Sequence, residues 1–213
     1  MSIAERLEKI KQSLPSGVRL VAVSKLHPAS YIKEAYDAGH RLFGESRAQE
    51  LVPKYNELPK DIEWHFIGHL QANKVKYIAP FVDTIQSVDS EKLLREINKE
   101  AAKFGRVINV LLQIHIAQEE QKFGFSYKEA EQLLKSSLPG ELPHIHIQGV
   151  MGMATFTDDE EQIRKEFRRL ADFYRKQEGL SCLSMGMSDD YLIAVEEGSN
   201  CVRVGSKIFG TRQ

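Results

Sequence analysis

Cysteine is scarce in this 213-residue chain, occurring only as Cys182 and Cys201, and neither stands in a CxxC or Cys/His pattern. That excludes a disulfide framework and a sequence-encoded zinc site, and both residues read as small core side chains of a reducing compartment. Charge of one sign is also lacking, with 29 Lys+Arg against 30 Asp+Glu for a net charge of -1. No bulk electrostatic case therefore exists for a nucleic-acid or anionic-membrane partner. No apolar run approaches the roughly 18 residues of a membrane span, and the opening MSIAERLEKIKQSL reads as a charged amphipathic helix rather than a signal peptide. A cytoplasmic protein is expected. The chain has no Gly-x-Ser-x-Gly, Walker loop or GxGxxG, which removes the usual sequence support for acyl transfer, P-loop hydrolysis and Rossmann dinucleotide binding.

What is present is an ordinary soluble composition, 42% hydrophobic and 28% charged, arranged as short β-branched runs alternating with helix-period segments without a linker. Strands are expected over 19–24, 41–44, 64–68, 82–87, 107–114, 146–150, 181–184 and 201–204. Helix signals fill the gaps: Pro28 ahead of a first turn with Gly39 beyond its end, Ser126-x-x-Glu129, and Thr157-x-x-Glu160 before Ile163, Phe167, Leu170 and Tyr174 on one face. Pro53 is expected to kink or end its helix. Eight strand–helix repeats suit a single (β/α)8 TIM barrel over 1–213 with an N-terminal helix, and a doubly wound sheet is the alternative.

In such a barrel reactive groups come from the C-terminal strand ends, here Lys25, Glu45, His69, Ser87, His115, Met151, Ser184 and Gly205. Lys25 closes the apolar run VAVS, where desolvation would lower its pKa and leave some neutral amine able to attack a carbonyl. SMGMS at 184–188 and VGS at 204–206 place glycines and hydroxyls where strands seven and eight give way to helices. These loops are the usual phosphate site of the fold, with plain tight turns and Ser188 as a helix N-cap as the structural alternative. A phosphate cradle beside an imine-forming amine describes the two anchors of pyridoxal 5'-phosphate. Arg203 stands where it could reach the pyridine nitrogen and would disfavour its protonation, leaving a weak electron sink. The histidines give no metal pattern: WHFIGH reads as strand and turn, and His144 and His146 alternate along a strand.

VAVSK at 21–25, FGES with Gln49-Glu50, WHFIGHLQANK at 64–74, SVD at 87–89, Glu119 with Lys122 and Gly124, GVM at 149–151, SMGMS and VRVGSKIFGTR at 202–212 together resemble the pyridoxal phosphate homeostasis proteins of the YggS/PROSC family. The resemblance implies a barrel similar to the N-terminal domain of alanine racemase, with Lys25 holding the cofactor as a Schiff base. It places Ser184, Gly205 and Ser206 around the phosphate and Arg203 near the ring nitrogen. Departures are Ser46-Arg47 for the family's Asn-Tyr, with Ser46 a candidate N-cap paired with Gln49. Further departures are His115 for a frequent Asn, Ser206 for Thr, and Met153-Ala154 for an apolar–proline pair.

The resemblance implies a non-catalytic carrier that limits the free cofactor and supplies apo-enzymes. A racemase-like enzyme is the alternative; it needs a second acid/base group, which racemases take from an added β-domain, and Tyr31, Tyr55 or His115 are the substitutes available in this sequence. The chain runs to Gln213, just past the eighth strand, so no such domain is expected. A sugar-phosphate isomerase would need Glu45 as base. With no exposed apolar stripe, a monomer is expected.

Overall fold

The computed structural model describes residues 1–118 and 123–210. Eight strands follow one another as β1 (Arg19–Val23), β2 (Leu42–Glu45), β3 (Glu63–Phe66), β4 (Thr84–Val88), β5 (Ile108–Gln113), β6 (Ile145–Met151), β7 (Cys182–Ser184) and β8 (Cys201–Val204). Each pairs in parallel with its neighbours, and β8 returns to β1 to close the barrel. Helix α1 (Ile3–Ser13) precedes it. The crossovers carry α2 (Ala29–Asp37), α3 (Ala48–Glu57), α4 (Val75–Ile78), α5 (Glu91–Ala102), α6 (Tyr127–Lys135), α7 (Leu138–Glu141), α8 (Glu160–Arg175) and α9 (Tyr191–Glu196), with α10 (Ser206–Phe209) last. No helix is long and apolar enough to cross a membrane among the described residues.

Strand alternation divides the apolar residues into two cores. Leu20, Ala22, Phe43, Trp64, Ile85, Val110, Val150, Leu183 and Val202 join Ile32, Leu94 and Phe167 of the helices in the layer outside the wall. Val21, Leu42, Leu111, Met151, Cys182 and Cys201 form a separate, smaller cluster inside it. Among the inner positions left over, His65, Gln86, Ser184 and Arg203 are polar, and they build a hydrogen-bonded network. Between β6 and β7 the approach is close enough that a Cβ on Gly149 would stand 1.8 Å from the Cys182 carbonyl oxygen.

Side-chain caps start four of the ten described α-helices, α1, α5, α6 and α8. Ser2 and Ser126 form reciprocal capping boxes with Glu5 and Glu129, and Pro28 is the N-cap of α2. Four expectations are corrected. Helix α3 runs four residues past Pro53, because its buried residues Ala48, Leu51 and Lys54 hold it down on both sides of the missing N–H. Its N-cap is Arg47, in extended backbone and without a side-chain cap, rather than Ser46. Helix α8 is capped by Asp159, whose carboxylate accepts from Glu161 and Gln162, while Thr157 accepts from the Asp159 N–H. The N-cap of α9 is Asp190, and Ser188 serves elsewhere.

Candidate functional site

The C-terminal mouth is built from strand ends inward, beginning at β1. The chain leaves β1 in a turn closed by a 3.1 Å bond from the His27 N–H to the Ser24 carbonyl. Leu26 takes φ 65°, the left-handed region that L residues enter at a cost, and is the only described non-glycine with positive φ. Helix α3 holds it there. The Leu26 N–H donates to the Glu50 carboxylate at 2.8 Å, and Lys54 Nζ donates to the Ser24 carbonyl at 3.0 Å. Lys54 also pairs with buried Glu45 at 2.6 Å, and the Ser24 hydroxyl donates to the same Glu45 oxygen at 2.7 Å. Burial pushes the Glu45 carboxyl up, and the Lys54 ammonium opposes that shift. Half-buried Lys25 is thus bracketed by neighbours fixed to one helix.

Across the β1–β8 seam Val21 pairs with Arg203 and Ala22 with Val204. Arg203 is 3% exposed, and burial pulls its pKa below the ordinary arginine value. Its two bonded acceptors are neutral: the Ser184 hydroxyl at 2.5 Å and the Gly152 carbonyl at 3.0 Å. A buried guanidinium held by neutral oxygens favours an acceptor or anion from a ligand. Ser184 is committed to this group, since its hydroxyl donates in turn to Gln86 Oε1 at 2.6 Å.

The loops after β7 and β8 touch each other. Ser188 Oγ accepts from the Gly205 N–H at 3.2 Å, tying the two together. Gly186 has φ 96°, and a Cβ there would meet the Ala194 Cβ at 2.6 Å and the Tyr191 Cα at 2.9 Å. Gly205 lies so close to β1 that a Cβ would stand 3.0 Å from the Val23 carbonyl oxygen. Ser206 opens α10 without a side-chain cap, so its first N–H groups have no acceptor within the helix. The structure therefore brings Gly205 and Ser206 beside the strand end carrying Lys25, and joins Ser184 to Arg203 on the inner side.

Other candidates fall outside this arrangement. Tyr55 stacks on Phe81 at 3.8 Å with Lys60 over its ring, in the helix layer. Glu45 faces α3 through Lys54, whereas Tyr31 stacks on His27 at 5.6 Å near the mouth. The His115 N–H donates to the Phe125 carbonyl, closing the base of the loop after β5. His65 lies inside the barrel on Gln86 and Glu63, while His69 lies outside on Asp89 and Phe123. His144 bonds the Arg106 carbonyl and His146 bonds Asn109. Both cysteines are buried and free. Glu119, Lys122, Thr211 and Arg212 lie outside the described residues. Sequence reasoning missed the parts played by Lys54, Glu50, Gln86 and Glu63, although a glutamine inside the apolar strand TIQSV was a signal that a buried partner existed.

The chain matches the alanine racemase N-terminal domain family over residues 1–213. It is 37% identical over 220 residues to a pyridoxal phosphate homeostasis protein of Aquifex aeolicus, covering 99% of this chain and 96% of the relative. The solved structure of PipY from Synechococcus elongatus superposes with a TM-score of 0.91 at 37% identity, covering 98% of this chain and 100% of that one. PipY has also been solved with its cofactor bound, at a TM-score of 0.86. Alanine racemase of Clostridium difficile, 14% identical with a TM-score of 0.78, shares the fold over 97% of this chain and 56% of its own.

Proposed function

Because the chain belongs to the pyridoxal phosphate homeostasis family, on the alanine racemase N-terminal domain fold, we propose that it binds pyridoxal 5'-phosphate and keeps it in store without turning over a substrate. The whole of 1–213 serves as one binding domain. The observation that carries the reading is the β1–β8 seam. It sets Lys25, in a turn clamped by α3, beside the Gly205–Ser206 cradle, with Arg203 buried among neutral partners on the same seam. That set fits the cofactor's three recognisable ends: a primary amine for the aldehyde, glycine backbone and a hydroxyl for the phosphate, and a permanent donor for the ring nitrogen. A relative of the same family, PipY, has been solved with the cofactor bound, which supports the assignment.

When bound, the cofactor supplies an aldehyde that an amine can hold as a Schiff base, and a ring that can accept electrons once its nitrogen is protonated. Lys25 supplies the amine. Ser206 holds the phosphate through its N–H and hydroxyl donors, Gly205, whose N–H is committed to Ser188, lets the backbone approach closely, and Ser184 holds Arg203 in place. Arg203 keeps its proton at any ordinary pH, so it donates to the ring nitrogen rather than protonating it, and carbanion chemistry is suppressed. The protein then limits free aldehyde in the cytoplasm and supplies the cofactor to apo-enzymes, acting as a monomer.

The test compares wild type and Lys25→Ala after cofactor loading and gel filtration. The wild type is expected to retain an absorbance band near the visible edge, to reactivate an apo-enzyme, and to racemise no alanine. Lys25→Ala is expected to lose the retained band. A variant that keeps a borohydride-reducible imine at the same site, or a wild type that racemises alanine at enzymatic rates, contradicts the reading.

A further inference from the structure

The barrel interior holds a continuous chain of hydrogen bonds between its mouth and its floor. Arg203 Nη1 donates to Ser184 Oγ at 2.5 Å, and Ser184 Oγ donates to Gln86 Oε1 at 2.6 Å. Gln86 Nε2 then donates to His65 Nδ1 at 2.7 Å, and His65 Nε2 donates to Glu63 at 3.1 Å. Glu63 finally pairs with Arg19 at the start of β1. Ser184, Gln86 and His65 are at most 1% exposed, so water does not substitute for the bonds that join them.

Each direction in the chain follows from its neighbour. Glu63 is held ionised well below the ordinary range, at about 2, by the bond from His65 and then by Arg19. An ionised carboxylate accepts only, so the His65 proton sits on Nε2 and Nδ1 is left as an acceptor. Only the NH2 side of Gln86 can satisfy that acceptor, and its second N–H faces Cys201 Sγ at 3.9 Å. Gln86 Oε1 therefore faces Ser184, whose hydrogen is consumed, and only the lone pairs of Ser184 remain for Arg203. Reversing the amide would set an NH2 against the Ser184 oxygen and take away the acceptor of the buried Ser184 hydrogen, so the hydroxyl would lose the bond that fixes its lone pairs toward Arg203.

We propose that His65 is a positioning residue for the cofactor: through Gln86 and Ser184, its Nδ1 acceptor fixes the Arg203 guanidinium that meets the ring nitrogen. The inference rests on the proposed contact between Arg203 and that nitrogen. His65 acts from the floor side of the barrel, two residues removed from the guanidinium. Its influence is on the direction of the donor and not on the bulk of the pocket.

Two substitutions separate direction from packing. His65→Asn places an amide oxygen where Nδ1 stands and keeps the acceptor, although it removes more volume. His65→Gln is closer in size and restores a donor near Nε2, but loses the Nδ1 acceptor. The readout is the 15N chemical shift of cofactor labelled at the ring nitrogen, together with the dissociation constant of the cofactor and the far-ultraviolet circular dichroism of each variant. Arg203→Gln serves as the reference for a ring nitrogen that has lost its donor.

His65→Gln is expected to move the ring-nitrogen signal toward that of Arg203→Gln and to weaken retention roughly threefold to tenfold, the equivalent of one net hydrogen bond. His65→Asn is expected to stay near the wild-type signal. Equal shifts in both variants, or a larger shift in His65→Asn, would overturn the proposal in favour of packing. An unmoved signal in His65→Gln beside a moved one in Arg203→Gln also overturns it, with the Arg203 assignment intact. If Arg203→Gln itself leaves the signal unmoved, the Arg203 reading falls and the proposal with it. Should His65→Gln not fold, Gln86→Met breaks the same chain one bond nearer the mouth and must give the same shift.

Discussion

His40 turns burial into a pH dependence. It is buried just ahead of β2, bonded to the Leu42 carbonyl at 2.7 Å, and desolvation lowers its pKa from the ordinary 6.5 to about 4. Between those values the unfolded chain binds the proton and the folded one does not, so stability falls as pH drops from about 6.5 to about 4. The loss amounts to about 3 kcal/mol at most. Denaturant titrations across that window are expected to be flatter for His40→Gln, and an unchanged slope would contradict the cause. Glu63 acts at lower pH with the same sign. Its carboxylate, depressed to about 2, contributes stability that is lost as pH falls below the ordinary carboxylate range. At Arg203 the expectation is chemical. Arg203→Glu replaces a permanent donor by a carboxylate that favours ring protonation, and side reactions of the bound cofactor with amino acids should accelerate; an unchanged rate with cofactor bound would argue against that contact. Lys25 and the Gly205–Ser206 pair stand out as candidates in the sequence because each follows an apolar run, and Arg203 because it interrupts the eighth. Their supports do not, because Lys54 reaches the Ser24 carbonyl from α3, and Gln86 and Glu63 join the chain to Ser184 only across the barrel.

Helix α3 shows what an element contributes to the site. It supplies both Glu50, which holds Leu26 in its left-handed conformation, and Lys54, which pairs with Glu45 on the outer face of the wall. Lys54→Met leaves Glu45 buried without its cation and is expected to cost about 3–5 kcal/mol at pH 8. The cost should shrink at lower pH, as Glu45 takes up a proton, and Glu45→Gln in the same chain should recover much of it. Thermal melts at two pH values check this, and an equal loss at both would contradict it. In the loop after β7, Gly186→Ala forces a side chain into φ 96° against Tyr191 and Ala194. A loss of at least about 2 kcal/mol is expected, with weaker cofactor retention, and a neutral melt would remove that constraint. All eight strands and the start of α6 could be read from period and capping. The ends of α3 and α8 could not, because packing of Leu51 and Lys54 overrides Pro53, and Asp159 caps better than the Thr157 that precedes it.

At the scale of the molecule, closure of the barrel makes the site. The β1–β8 seam joins the first strand to the last, so Lys25 and Gly205 come together only when all eight strands are in place. The interior is then too small for a large apolar core, and its polar positions form a chain that aims Arg203 at the mouth. A closed barrel with a carrier function predicts one modified lysine and no second covalent site. The direct measurement is mass spectrometry of the cofactor-loaded protein after borohydride reduction, with peptide mapping of the modified residue. The account predicts a single phosphopyridoxyl adduct on Lys25. An unmodified chain after incubation with the cofactor, or an adduct confined to another lysine, would contradict it.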